Sequence, residues 1–221
     1  FLDEIFKSNS AILNSLLTII NEKKFYQDGV PQPVRLKILL AATNEIPEHT
    51  ELGALKDRFC LKAACRSVQD EHFTDLLDMG LRMQAYRDTN QKPWAEGHAS
   101  LEDFLKANRY LTLMMAREEP GPNGEPRNDR HIYFKDDLLR ELRRVLKTLV
   151  REDNVFVSDR KIIKMYRLLR TRAWVLHGGT VEREDLSLLA YLGETKDEID
   201  LLETKVPQLL GLSAERRDAS S

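Results

Sequence analysis

Apolar positions in the first sixty residues fall in two rhythms. Phe1-Leu2 and Ile5-Phe6 enclose two adjacent carboxylates, Asp3 and Glu4, as at the acidic end of a buried strand. From Ser10 to Glu22 the apolar residues Leu13, Leu16, Leu17 and Ile20 recur at helical spacing, with Asn9 or Ser8 placed as a cap. Gly29, Pro31 and Pro33 then break any helix between Lys23 and Val34 and predict a hairpin or an irregular excursion. Leu36 to Ala42 is a nearly continuous apolar run, the pattern of a strand covered on both faces of a parallel sheet. It stops at Thr43-Asn44-Glu45, so polar side chains are expected at the strand's C-terminal edge, where open α/β sheets bind ligands.

From about Gln69 the rhythm becomes helical. His72 to Tyr86 and Leu101 to Arg117 are predicted helices, the first of them amphipathic. Glu118 to Asp129 gathers three prolines and two glycines and predicts a solvent-exposed loop. Asp136 to Val150 carries Leu138, Leu139, Leu142, Val145, Leu146 and Leu149 at helical spacing. Ser158 is placed to cap a helix that Gly178-Gly179 would stop near His177. Thr180 starts a further helix, with Glu182, Glu184 and Asp185 well placed against the dipole of its first turn. The predicted layout is α/β plus all-α, with residues 1-68 forming the α/β piece and 69-221 a mostly helical region. Tyr166, Trp174 and Leu176 are expected to pack the helical core, and Trp94 to be a partly buried surface anchor or a partner contact.

Composition narrows the function. The 221 residues suffice for a proper core. Lys and Arg number 34 against 36 Asp and Glu, a formal net charge of −2, which excludes a generally basic nucleic-acid binder. Arg140, Arg143, Arg144 and Lys147 are then most simply a solvated helix face. No run reaches the roughly 18 apolar residues of a membrane span. Cys60 and Cys65 lack metal-like spacing and suit a reducing, cytoplasmic setting. The five histidines likewise lack ligand spacing.

Four places carry candidate chemistry. An Asp at a strand's end can hold the water shell of a Mg²⁺ bound to nucleotide phosphates, and the next carboxylate can polarise an attacking water, although such a triplet also suits a solvated strand terminus. If the two strands are neighbours, the amide of Asn44 lies beside those carboxylates; otherwise it is a turn former before Pro47. Arg58, in Asp57-Arg58-Phe59, could neutralise a neighbouring subunit's phosphate or simply pair with Asp57. Arg160 stands in the first turn of the helix capped by Ser158, where a cation opposes the macrodipole at a cost of about 0.3–1 kcal/mol. Lys161 repeats that conflict and Asp159 partly offsets it. Such a helix start is suited to meeting a phosphate.

The order of these segments resembles the Walker B strand and following helix of AAA+ ATPases of the MoxR family, most closely the RavA-type branch. Phe1 to Phe6, Ala11-Ile12-Leu13-Asn14-Ser15-Leu16-Leu17 and Ile20-Asn21-Glu22 carry the first part. Ala41-Ala42-Thr43-Asn44-Glu45-Ile46-Pro47 is similar to the first sensor and Leu55-Lys56-Asp57-Arg58 to the arginine-finger segment. Val157-Ser158-Asp159-Arg160-Lys161 with Tyr166-Arg167-Leu168-Leu169 resembles the second sensor and its helix, within 157–177.

The resemblance implies the C-terminal part of an αβα AAA+ core, from Walker B onward, followed by a helical lid. It further implies ATP and Mg²⁺ as cofactors, Asp3 serving Mg²⁺ through water, Glu4 as base, and Asn44 as first sensor. Arg58 would be the finger and Arg160 the second sensor. The implied partners are other copies in a homo-oligomeric ring, a hexamer, with a von Willebrand factor A domain protein and a protein substrate; nucleic acid is not expected. Lys23 to Val34 would be the hairpin that often touches the central pore's contents.

No G-x-x-x-x-G-K-[ST] occurs in the chain. The sequence is therefore expected to be a piece of a longer ATPase, binding ATP poorly and turning none over alone, with uncovered apolar faces that favour association. The function it predicts is that of an ATP-driven, chaperone-like remodelling machine. The alternatives are a degenerate, non-hydrolysing assembly subunit or a nucleic-acid motor.

Overall fold

A computed structural model describes residues 1–47, 52–69, 72–93, 99–116, 118–120, 126–128 and 130–212. Trp94 lies outside the described residues. The chain divides into two compact units, one of Phe1–Ala63 with Ile132–Ser221 and the other of Ala64–His131. Helices after residue 131 thus group with the first 63 residues.

In the first unit a 3-10 turn at Ile5–Lys7 precedes α1 (Ser10–Glu22). Asn9 caps α1, its side-chain oxygen accepting from the Ile12 N–H at 3.0 Å. Lys23 ends the helix in the left-handed conformation. β1 (Lys24–Gln27) and β2 (Val30–Pro33) pair antiparallel across Asp28-Gly29, whose positive φ values of 51° and 78° are those of a tight hairpin turn. α2 (Gly53–Lys56) follows, and its Leu55 closes a small core with Ile5 and Leu13, flanked by Leu16, Leu17, Ile20 and Phe59.

The apolar run Leu36–Ala42 departs from expectation. Among the described residues it pairs only through a parallel bridge between Leu2 and Ala41, and Ile38 and Leu40 stand 68% and 63% exposed. An apolar strand is buried on both faces only when neighbours cover both, and the described residues supply cover on one side alone.

The second unit holds α3 (Phe73–Asp88), α4 (Leu101–Ala116) and a short antiparallel pair, β3 (Glu118–Pro120) with β4 (Pro126–Asn128). The stretch predicted as a loop therefore contains an antiparallel strand pair. α3 buries none of its residues, so its apolar positions do not form the core-facing stripe expected of them.

After α5 (Arg130–Tyr133), the first unit continues with α6 (Asp136–Glu152) and α7 (Asp159–His177), which lead to a 3-10 segment, Arg183–Tyr191, and then α8 (Lys196–Leu210). α6 presents Leu142, Val145 and Leu149 to the larger core, where they meet Met165, Leu169, Leu186, Leu202 and Val206. Phe134 lies fully buried and stacks on Tyr166 with ring centroids 5.4 Å apart. Gly178, at φ 84°, ends α7 as its spacing predicts. The helix expected after Thr180 is a 3-10 segment, started by a reciprocal capping box between Glu182 and Asp185. Trp174 and Leu176 correct the sequence reading: they are 38% and 59% exposed, because α7 turns Met165, Leu169 and Ala173 inward instead.

Candidate active site

The bridge between Leu2 and Ala41 builds the first half of the site. The Leu2 N–H donates to the Leu40 carbonyl at 2.9 Å and the Ala42 N–H to the Leu2 carbonyl at 2.8 Å. Because the segments run parallel, the residues just beyond each bridge position emerge at the same edge. Asp3 and Glu4 follow Leu2, and Asn44 follows Ala41 by three. The Asn44 side-chain amide accordingly donates to Glu4 Oε1 at 2.6 Å.

Glu4 is held by its backbone as well as by its neighbours. It adopts the left-handed conformation, φ 49° and ψ 43°, which costs a residue other than glycine about 1–3 kcal/mol. Buried Ile5 anchors the 3-10 turn that follows it. The Lys7 ammonium lies 3.3 Å from Glu4 Oε1. Glu4 Oε2 is buried and has no hydrogen-bond partner among the described residues. An unmet buried acceptor carries a desolvation cost of about 1–3 kcal/mol that a donated water proton would relieve. Asp3 is exposed and accepts the Glu4 N–H at 3.1 Å. Among the described residues no three metal-binding side chains cluster.

The other two candidates sit together elsewhere in the unit. Arg58 follows the α2 cap Asp57, and its guanidinium Nε is buried without a partner among the described residues. Asp57 accepts the Ser158 hydroxyl at 2.9 Å, while that hydroxyl oxygen caps α7 by accepting from the Lys161 N–H at 3.2 Å. Lys164 reaches the Asp57 and Arg58 carbonyls at 3.4 and 3.3 Å. Arg160 is exposed in the first turn of α7. Among the described residues, no hydrogen bond or ion pair joins Glu4 or Asn44 to Arg58 or Arg160.

Four residues of this junction escaped a role in the sequence reading. Lys161 is 1% exposed and donates to the Leu192 carbonyl at 3.0 Å and to the Glu194 carboxylate. Its position against the α7 dipole was the signal, and burial with Glu194 is the resolution. Glu194 also pairs with Lys62 at 3.1 Å, and the Lys62 N–H donates to the Tyr191 carbonyl at 3.0 Å. Burial, then repulsion from Lys161, lowers the Lys62 ammonium's pKa below its ordinary value. Cys60, beside these lysines, has its thiol pKa raised by burial despite their charges. Lys62, Lys164 and Glu194 had no local signal in the sequence.

Residues 1–103 match the MoxR domain of MoxR-vWA-beta-propeller ternary systems, and residues 136–205 match an AAA lid domain. Two uncharacterized proteins of Methanocaldococcus jannaschii, MJ0812 and MJ0079, are 28% and 27% identical over 87% of this chain. The chain spans 44% and 43% of their lengths. The two family matches support a MoxR-type AAA+ ATPase fragment, and with the helical structure they give its fold class, the C-terminal part of an AAA+ core with a helical lid.

Proposed function

We propose that the chain is part of an ATP-hydrolysing AAA+ ring ATPase, in which Glu4 and Asn44 form the pair that places and activates the attacking water. The observation that carries this reading is the 2.6 Å hydrogen bond from Asn44 to one Glu4 oxygen while the other stays buried and unmet. The bond fixes the carboxylate's orientation and leaves Oε2 to accept a proton from water. As that water attacks the γ-phosphate, the proton passes to Glu4, the role of a general base.

Asp3 is suited to Mg²⁺ held through its water shell, since that ion keeps several waters and needs few carboxylates besides the phosphates. When bound, Mg²⁺ neutralises charge that develops on the phosphates. Arg58 is assigned to a neighbouring subunit's nucleotide and Arg160 to sensing from the lid. Both rest on segment resemblance and on their shared junction at Asp57 and Ser158.

The wider reading rests on the segment resemblance, and the family description, which names MoxR-vWA-beta-propeller systems, supports its von Willebrand factor A domain partner. It comprises a RavA-like, homo-oligomeric ring, a hexamer, acting in the cytoplasm as a chaperone-like remodeller of a protein substrate with a von Willebrand factor A domain partner. Among the described residues no helix is long and apolar enough to cross a membrane.

The test is ATP turnover by a polypeptide carrying a phosphate-binding loop ahead of Phe1, wild type against Glu4→Gln. Loss of turnover with nucleotide binding retained is the expected result. Absence of turnover in both folded proteins would overturn the reading in favour of a non-hydrolysing assembly subunit.

A further inference from the structure

We infer that the outer face of α6 is a docking surface for an acidic protein segment. Arg140, Arg143, Arg144, Lys147 and Arg151 stand on this helix, all exposed. Arg140, Arg143, Lys147 and Arg151 stand three or four apart, with Arg144 beside Arg143, so they form a stripe about 16 Å long. Arg144 is engaged, by Glu141 at 3.4 Å and the Leu209 carbonyl at 2.8 Å. Arg140, Arg143, Lys147 and Arg151 have no carboxylate partner among the described residues.

The helix's own physics explains part of its charge pattern. Asp136 and Asp137 in the first turn and Arg151 in the last suit the dipole. Arg140, Arg143 and Lys147 have no such account. Like charges three and four apart destabilise a helix, and here they gather in a chain whose net charge is −2. An anionic partner would turn that repulsion into attraction.

Two grooves border the stripe. One of about 410 Å³ is lined by the five cations, Thr148 and Glu152. The other, of about 680 Å³, brings Glu141, Glu182 and Glu184 beside Arg140, Arg144 and Arg183.

These surroundings favour a peptide over nucleic acid. α6 contains no aromatic, Asn or Gln side chain with which to stack on or read a base. The carboxylates of the second groove would repel an unbroken phosphate backbone but can be matched by a peptide of mixed charge. Arginine forks suit carboxylates as readily as phosphates.

The experiment titrates the 221-residue chain into a labelled acidic peptide of about ten residues, glutamates interrupted by lysine, and, separately, a labelled oligothymidylate, followed by fluorescence anisotropy at low salt. The peptide is expected to bind more tightly than the oligonucleotide. Its affinity should drop at least about tenfold in Arg143→Glu/Lys147→Glu and stay within about twofold in the exposed surface control Lys37→Glu/Lys92→Glu. If charge reversal perturbs the helical circular-dichroism signal, Arg143→Gln/Lys147→Gln serves instead, with a smaller drop expected. No peptide binding, or binding indifferent to the α6 substitutions, would overturn the inference. Tighter oligothymidylate binding through the same residues would also overturn it, making the face a nucleic-acid surface.

Discussion

Replacing Glu194 by Ala tests the polar junction that ties the segment after Arg58 to the lid. Its carboxylate stands between two ammonium groups, Lys161 and Lys62, of which Lys161 is 1% exposed. Removing one partner of a buried ion pair costs about 3–5 kcal/mol, because the remaining charge stays out of water. Glu194 and Lys62 retain 16% and 10% of their side-chain exposure, so solvent screens part of the loss, and about 2–4 kcal/mol is expected. The penalty belongs chiefly to the stranded Lys161 ammonium. Lys161→Met should therefore be much milder, and Glu194→Ala in that background should cost only about 1 kcal/mol. Urea unfolding at neutral pH, followed by Trp174 fluorescence with Trp94 replaced by Phe, reads the lid. A Glu194→Ala loss below about 0.5 kcal/mol, or a cost undiminished in the Lys161→Met background, would refute the reasoning.

Other substitutions probe separate links. Ser158→Ala removes the α7 cap and strands Asp57, an expected loss of about 1–2 kcal/mol in the same unfolding assay. Gly193→Ala would place a Cβ 2.7 Å from the Ile199 nitrogen and 2.8 Å from its Cγ1, so about 1–3 kcal/mol of destabilisation should appear as a lower Tm. The Lys62 ammonium has a pKa below its ordinary 10.5 in the folded chain. Between its folded and unfolded values the unfolded chain binds more protons, so its penalty is full at lower pH and fades as pH rises toward 10.5; Lys62→Met should flatten that rise in a pH series of urea midpoints. Cys60, half-buried and with its pKa raised, should be alkylated more slowly than exposed Cys65 at about pH 8, as mass spectrometry of single-cysteine variants would show.

Local signals were the legible ones. Asn9 and Ser158 cap the helices they precede because a side-chain oxygen two or three residues ahead of free N–H groups needs nothing from the rest of the chain. The leucine spacing of α6 likewise predicts the face it buries. Burial set by distant partners was not legible. Ile38 and Leu40 have the composition of a covered strand, yet cover is a property of neighbouring elements. The Asn44 contact followed from the sequence only by supposing that two strands adjoin; the parallel bridge at Leu2 and Ala41 supplies that adjacency. Lys161 announced a conflict with its helix dipole, but Glu194 lies 33 residues away, beyond any periodicity.

The position of α2 links the two halves of the candidate site. Leu55 belongs to the small core with Ile5, the residue that anchors the turn after Glu4. Two residues later Asp57 accepts from the α7 cap, and Lys62 is held to the loop after Tyr191 by a backbone hydrogen bond and by Glu194. The segment from Leu55 to Lys62 thus runs from one core to the lid, with Arg58 along its way. A tilt of α7 would act on Arg58 through the Ser158–Asp57 bond and the Lys164 contacts, without any side-chain contact to Glu4. Glu4 and Asn44 are set instead by the bridge at Leu2, which such a tilt leaves intact. In the proposed ATPase, weakening the Ser158 link should alter how one subunit's turnover responds to its neighbours, while Glu4→Gln should abolish turnover outright.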